Sequence, residues 1–297
     1  MMNVAVYPVP VSQEEGLRSD QKNSFLFYSA VDAVFCRRND CGRGGKHGIV
    51  SVCDQCRKAD ALLLRSGKTA YLIDTGTEDS WPALKKALLA EGVIKLDGVI
   101  LTHTHKDHVG GLEYLLDSEI EVGQIYASGY FKKKEKKHPA VIAAKAKDRT
   151  VTFLYGGDTL PLDGGTLEVL GPIEEAEEEN NNSLVLLAAG GGGTMLLAGD
   201  MEFPEEESLL KAGKIPQADV LKVGNHGNPD ATGESFLEAV SPKAAVFSTD
   251  SDAEPDTPAK RIVKWLNAHG SAIYQTQESE GGVIVTLCDG EISAEKK

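Results

Sequence analysis

Three histidines and an aspartate fall within six positions, His103-Thr-His105-Lys-Asp107-His108. Imidazole nitrogens and carboxylate oxygens are the donors that zinc, iron and manganese accept. Crowded together without a cation, such groups repel one another or stay unsatisfied. Alternate side chains of an extended segment share a face, so His103 and His105 can grip one ion. Asp107 and His108 lie past the turn and can reach a second. Ordinary loop polarity is a poor account of this string, because strands and caps have no special use for histidine.

Ligands need a rigid support, and the flanking pattern supplies one. Residues 98–102 are a continuous apolar run, the mark of a buried strand, ending at His103; Gly110 and Gly111 precede a helix. Upstream, residues 59–64 and 70–74 flank a Ser66-Gly-Lys68 turn and read as a hairpin. Ser80 as N-cap, Pro82 in the first turn, Leu84, Leu88 and Leu89 on one face and Gly92 at the end predict a helix. Downstream, strands are predicted at 166–170, 183–188, 194–197, 220–223, 244–248, 272–275 and 283–287, and helices at 204–211, 234–240 and 258–269. The glycine run 190–193 joins two apolar strands with no helix after it, which reads as a hairpin turn rather than a phosphate loop. Strands and helices mixed in this way imply an α/β layered fold with a mixed sheet.

The histidine string resembles the signature of the metallo-β-lactamase superfamily. Three further motifs follow in the family's order: Tyr71-Leu-Ile-Asp74-Thr-Gly76, Leu196-Leu-Ala-Gly199-Asp200 and Asp219-Val-Leu-Lys-Val-Gly-Asn225-His226-Gly227. The resemblance covers about residues 59–290. Together with Asn180-Asn-Asn-Ser183-Leu-Val-Leu, the last two motifs are similar to the hydrolase domain of ComEC-type DNA-uptake proteins and related stand-alone proteins. Those relatives usually carry two histidines where this chain has Asn225-His226, and often a His-Pro where it has Glu254-Pro255-Asp256-Thr257-Pro258. The resemblance implies a metallo-β-lactamase-like αββα sandwich with two mixed sheets. It further implies one domain over residues 1–297, with a cysteine-bearing insertion at about 36–56.

The same resemblance implies a two-metal site. One ion is held by His103 and His105, the other by Asp107, His108 and His226, and Asp200 bridges them. The superfamily often has a third histidine for the first ion about twenty residues before the bridging aspartate, where this chain has Asn180 to Asn182. An asymmetric site is therefore expected, with Asp74 organising the ligand loop. Asn182 and Ser183 either bind a substrate oxygen or close the strand-end turn, and Asn225 either orients His226 or contacts substrate. Two divalent ions, zinc foremost with manganese and iron as alternatives, would share a hydroxide that attacks phosphorus or an acyl carbon. Asp107 would orient it and handle its proton. The expected activity is hydrolysis of phosphodiester or phosphate-ester bonds. Hydrolysis of a carboxylic ester, lactone or thioester is the alternative on the same site; an iron-dependent oxidoreductase and a non-catalytic metal-binding module are those of another class.

Composition narrows the partners. The chain has 297 residues, with 45 Asp and Glu against 31 Lys and Arg and a formal charge of −14. That disfavours extended nucleic-acid binding and a basic membrane-surface protein, both of which need a broad positive footprint. Residues 132–149 are the local exception, with eight Lys and Arg against Glu135 and Asp148. They read as a solvated face or as attraction for a small or locally gripped anionic substrate. The acidic run Glu174, Glu175, Glu177, Glu178 and Glu179 reads as solvated. No apolar run approaches the roughly 18 residues that span a bilayer, and residues 1–10 lack the pattern of a leader, so a cytoplasmic address is expected and an exported form stays open. Cys36, Cys41, Cys53 and Cys56 form a C-x4-C, x11, C-x2-C pattern. Four thiols so spaced fit a structural zinc with His47 in reserve, one or two disulfides, or free thiols.

Overall fold

A glycine at φ +56°, Gly67, turns the strand Leu62–Ser66 (β2) back as Thr69–Ile73 (β3), the hairpin that the sequence predicts. The computed structural model describes residues 50–52, 59–132, 134–279 and 282–296. Along β2 successive side chains serve two cores. Leu62 and Leu64 face the other sheet, and Leu63 faces a layer of helices. Each such leucine contributes about 1.5–3 kcal/mol on burial.

The first sheet is extended by Lys95–Leu101 (β4), Glu121–Ser128 (β5) and Val151–Leu154 (β6), all parallel to β3. Parallel pairing requires crossovers, here Trp81–Ala90 (α1), the short helices Lys106–Val109 (α2) and Leu112–Leu116 (α3), and Pro139–Lys145 (α4). On its other side β2 pairs with Val50–Val52 (β1). The second sheet runs through Thr159–Leu162 (β7), Gly165–Gly171 (β8), Val185–Gly190 (β9), Gly193–Leu197 (β10), Val220–Lys222 (β11), Ala244–Phe247 (β12) and Ala272–Gln275 (β13). It is antiparallel from β7 to β10 and parallel from β10 to β13. Phe203–Lys211 (α5), Glu234–Val240 (α6) and Lys260–Ala268 (α7) cover its outer face. The chain then returns to the first sheet as Val283–Cys288 (β14) and Glu291–Lys296 (β15), giving the order β15-β14-β1-β2-β3-β4-β5-β6. Two mixed sheets with a helix layer outside each make the αββα sandwich that the motifs imply.

The predicted elements fall within a few residues of those observed, and the glycine run is a hairpin turn between β9 and β10. Val50–Val52, inside the stretch expected as an insertion, is a strand of the first sheet, seated between β14 and β2. Cys36, Cys41, Cys53 and Cys56, with the zinc expected of them, lie outside the described residues. The described lysines of the basic stretch are exposed, and part of it is α4, which turns Ala140, Ala143 and Ala144 inward. Among the described residues no helix is long and apolar enough to cross a membrane.

Candidate metal centre

The ends of β3, β4, β10 and β11 carry the singled-out residues to one edge of the sandwich. β4 stops at Leu101, and the chain bends at His103 and Thr104 before His105, which caps α2. Asp107 and His108 project from that helix. Gly199, at φ +54°, turns β10 into Asp200. Beyond β11, Asn225 and His226 both adopt left-handed backbone, φ 41° and 56°. For side-chain-bearing residues such backbone costs on the order of 1–3 kcal/mol each, so the surrounding packing must hold His226 in place.

Asp200 sits at the hub. Its Oδ2 lies 3.2 Å from His108 Nε2, 3.4 Å from His226 Nε2 and 3.9 Å from His103 Nε2. Asp107 Oδ2 is 4.0 Å from His108 Nε2 and 3.9 Å from His226 Nε2. Ligand atoms of Asp107, His108, Asp200 and His226 all fall within 4.8 Å of one another. His105 is exposed, with its ring 4.7 Å from that of His103. Despite these separations, the Nε2 atoms of His103, His108 and His226 and Oδ1 of Asp200 are buried without a hydrogen-bond partner among the described residues. Four orphaned donor atoms meeting at one place are costly unless a cation joins them, so the residues fit divalent metal. Burial raises the Asp200 carboxyl, yet His108 and His226 together hold it well below the usual carboxylate range. Burial, reinforced by His108, pushes the His103 imidazole well below its ordinary value and favours the neutral, ligating form.

The opposite faces of the rings are occupied. His108 Nδ1 donates to Asp74 Oδ2 at 2.7 Å, and Asp74 also accepts from Thr102 N and Thr102 Oγ1, each at 2.7 Å. His226 Nδ1 donates to the Ser248 carbonyl at 3.0 Å. Both bonds leave a lone pair on Nε2.

The asparagines are engaged with protein. Asn182 accepts from Ala176 N at 2.8 Å and donates to Ala176 O at 3.1 Å, closing the turn before β9. Ser183 Oγ accepts from Asp200 N at 3.2 Å. Asn180, Asn181 and Asn225 all donate to Glu202, at 2.7, 3.1 and 3.0 Å, so one carboxylate ties together the three loops around Asp200.

Four residues escaped the sequence reading. Glu202 is one. Glu179 is another, and it corrects the solvated reading of its run: it is buried and accepts from Thr104 N at 3.2 Å, from Thr104 Oγ1 and from Lys132 N at 3.1 Å. Asp60 and Lys222 are the others, a buried ion pair at 2.6 Å. Burial works to raise the Asp60 carboxyl, but Lys222 and then His226 bring it below its ordinary value. The one available signal was a lysine inside an otherwise apolar strand.

Residues 55–251 match the family profile described as the Metallo-beta-lactamase superfamily. The chain is 31% identical over 230 residues to ComE operon protein 3 of Bacillus subtilis (strain 168), covering 75% of this chain and 30% of that protein. It is 30% identical over 239 residues to Competence protein ComA of Neisseria gonorrhoeae, covering 80% and 32%. The matched region thus spans about a third of the length of these curated relatives. Among solved structures, the metallo-beta-lactamase fold protein YhfI from Bacillus subtilis superposes with a TM-score of 0.54 at 14% identity, over 80% of this chain and 98% of that one, a likeness of fold.

Proposed function

The chain belongs to the metallo-beta-lactamase superfamily, and from that membership we propose that it is a binuclear metal-dependent hydrolase of phosphodiester or phosphate-ester bonds. The observation that carries the reading is the set of orphaned imidazole and carboxylate atoms around Asp200. Asp107, His108 and His226 would hold one ion, His103 and His105 the other, with Asp200 shared. Bound there, zinc or a similar divalent ion supplies Lewis acidity and a water acidified towards neutrality. Asp107 keeps 29% of its side chain exposed, which suits it to take a proton at the solvent side of the site. Asp74 and Ser248 hold two of the rings in one tautomer throughout. Substrate would be drawn by charge: Lys106 is exposed between His105 and Asp107 in the ligand loop. That cation favours a phosphate anion over a neutral ester.

The test is an assay of protein loaded with zinc or manganese on bis-p-nitrophenyl phosphate, p-nitrophenyl phosphate and single-stranded DNA, beside His103→Ala. Carboxylic ester, lactone and thioester substrates belong in the same panel. Phosphoester turnover that EDTA and His103→Ala both abolish is expected. Turnover confined to carboxyl substrates would put the alternative reading in its place. Iron with oxygen consumption and no hydrolysis would move the chain to the oxidoreductases.

A further inference from the structure

Lysine in a strand buried on both faces is unusual, and Lys222 is only 2% exposed. Along β11, Val220 faces the space between the sheets and Leu221 the helix layer, so strand alternation turns Lys222 inward with Val220. There its Nζ meets Asp60 Oδ2 at 2.6 Å and the Val223 carbonyl at 3.1 Å. Asp60 precedes β2, so the pair spans the two sheets.

Asp60 Oδ1 is buried with no hydrogen-bond partner among the described residues, and it lies 3.7 Å from His226 Nδ1. That separation is too long for a hydrogen bond, and Nδ1 already donates to Ser248, so Asp60 acts on the ring by charge. The backbone of Asp60 reaches two more parts of the site. Its N–H donates to the Asp107 carbonyl at 3.2 Å, and its carbonyl accepts from Gly76 N at 2.8 Å, in the turn that carries Asp74.

We infer that Asp60 and Lys222 are positioning residues of the metal centre: Lys222 holds one oxygen of Asp60, and the other stands as a fixed negative charge behind His226 that strengthens this imidazole as a ligand. The inference rests on the site binding divalent metal. Replacing a buried ion pair as a whole by neutral groups of similar shape tends to preserve or raise stability, whereas removing one partner strands the other charge. The double variant Asp60→Asn/Lys222→Met therefore separates a ligand-tuning role from a structural one.

Two measurements on the full chain decide it: the melting temperature without metal, and zinc affinity by competition with a chromophoric chelator. The double variant should melt at or above the parent temperature and yet bind the zinc that His226 would hold about 10- to 100-fold less tightly, the usual loss when a group behind a ligand is removed. Parental affinity in a folded double variant overturns the inference and leaves the hydrolase reading intact. If the double variant does not fold, Asp60→Asn alone decides, since its amide oxygen still faces Lys222; weaker zinc supports the inference and parental affinity overturns it. A parent chain that takes up no metal overturns both readings.

Discussion

Each imidazole at the centre has two nitrogens, and the bond made by Nδ1 fixes what Nε2 can offer. For His108 that bond runs to Asp74, itself buried and at φ 58°, with three hydrogen bonds on its carboxylate. Burial raises the Asp74 carboxyl, and His108 opposes the rise. Removing the carboxylate frees the ring to rotate and to adopt the other tautomer. Asp74→Ala should therefore weaken metal binding about 10- to 100-fold, read by chelator competition, with His103 and His105 unchanged. The clustered ligands were legible because six consecutive positions hold them. Asp60 and Lys222 were not, since they lie 162 positions apart and each is flanked by apolar residues. Glu179 was hidden by its company, four glutamates whose sequence pattern gives no hint that one of them turns inward.

At the scale of elements, α5 reaches its neighbours through acidic side chains. Glu206 is buried and accepts from Thr232 N and from Gly233 N at 2.8 Å, holding the loop that leads into α6. Burial pushes its carboxyl from 4.5 up to about 7, against the pull of those two N–H groups. A folded state with the higher pKa binds the extra proton, so this stabilisation is complete below pH 4.5. It fades as pH rises to about 7, by about 3 kcal/mol. Glu206→Gln keeps an acceptor and loses the titration. Urea unfolding in EDTA at pH 5 and pH 8 should show a smaller difference in stability for the variant than for the parent. Elements announced themselves where apolar residues were concentrated, as in β4 and β9. β5 gave no signal because Glu121, Gly123 and Gln124 interrupt its apolar side chains, and α4 because its buried face is alanine within a basic stretch.

Taken whole, the site belongs to neither sheet. His103, His105, Asp107 and His108 follow β4 in the first, whereas Asp200 and His226 follow β10 and β11 in the second. The unfolded chain cannot present this set, so a divalent ion held there would stabilise the native state. At a hundredfold excess over Kd this amounts to about 2.7 kcal/mol, or about 5–10 °C in Tm for a chain of this size. Calorimetry with and without EDTA should show that difference, and Asp200→Asn should abolish it. The position of β1 between β14 and β2 adds an order in time. On a ribosome making about 5–20 residues per second, His108 emerges roughly 5–20 s before Asp200, and the first sheet still waits for residues 283–288. A divalent ion caught early by the ligand loop would be held by half a site and would exchange. The metal that stays would be chosen late, once Asp200 and His226 have joined the loop and β14 has docked beside β1.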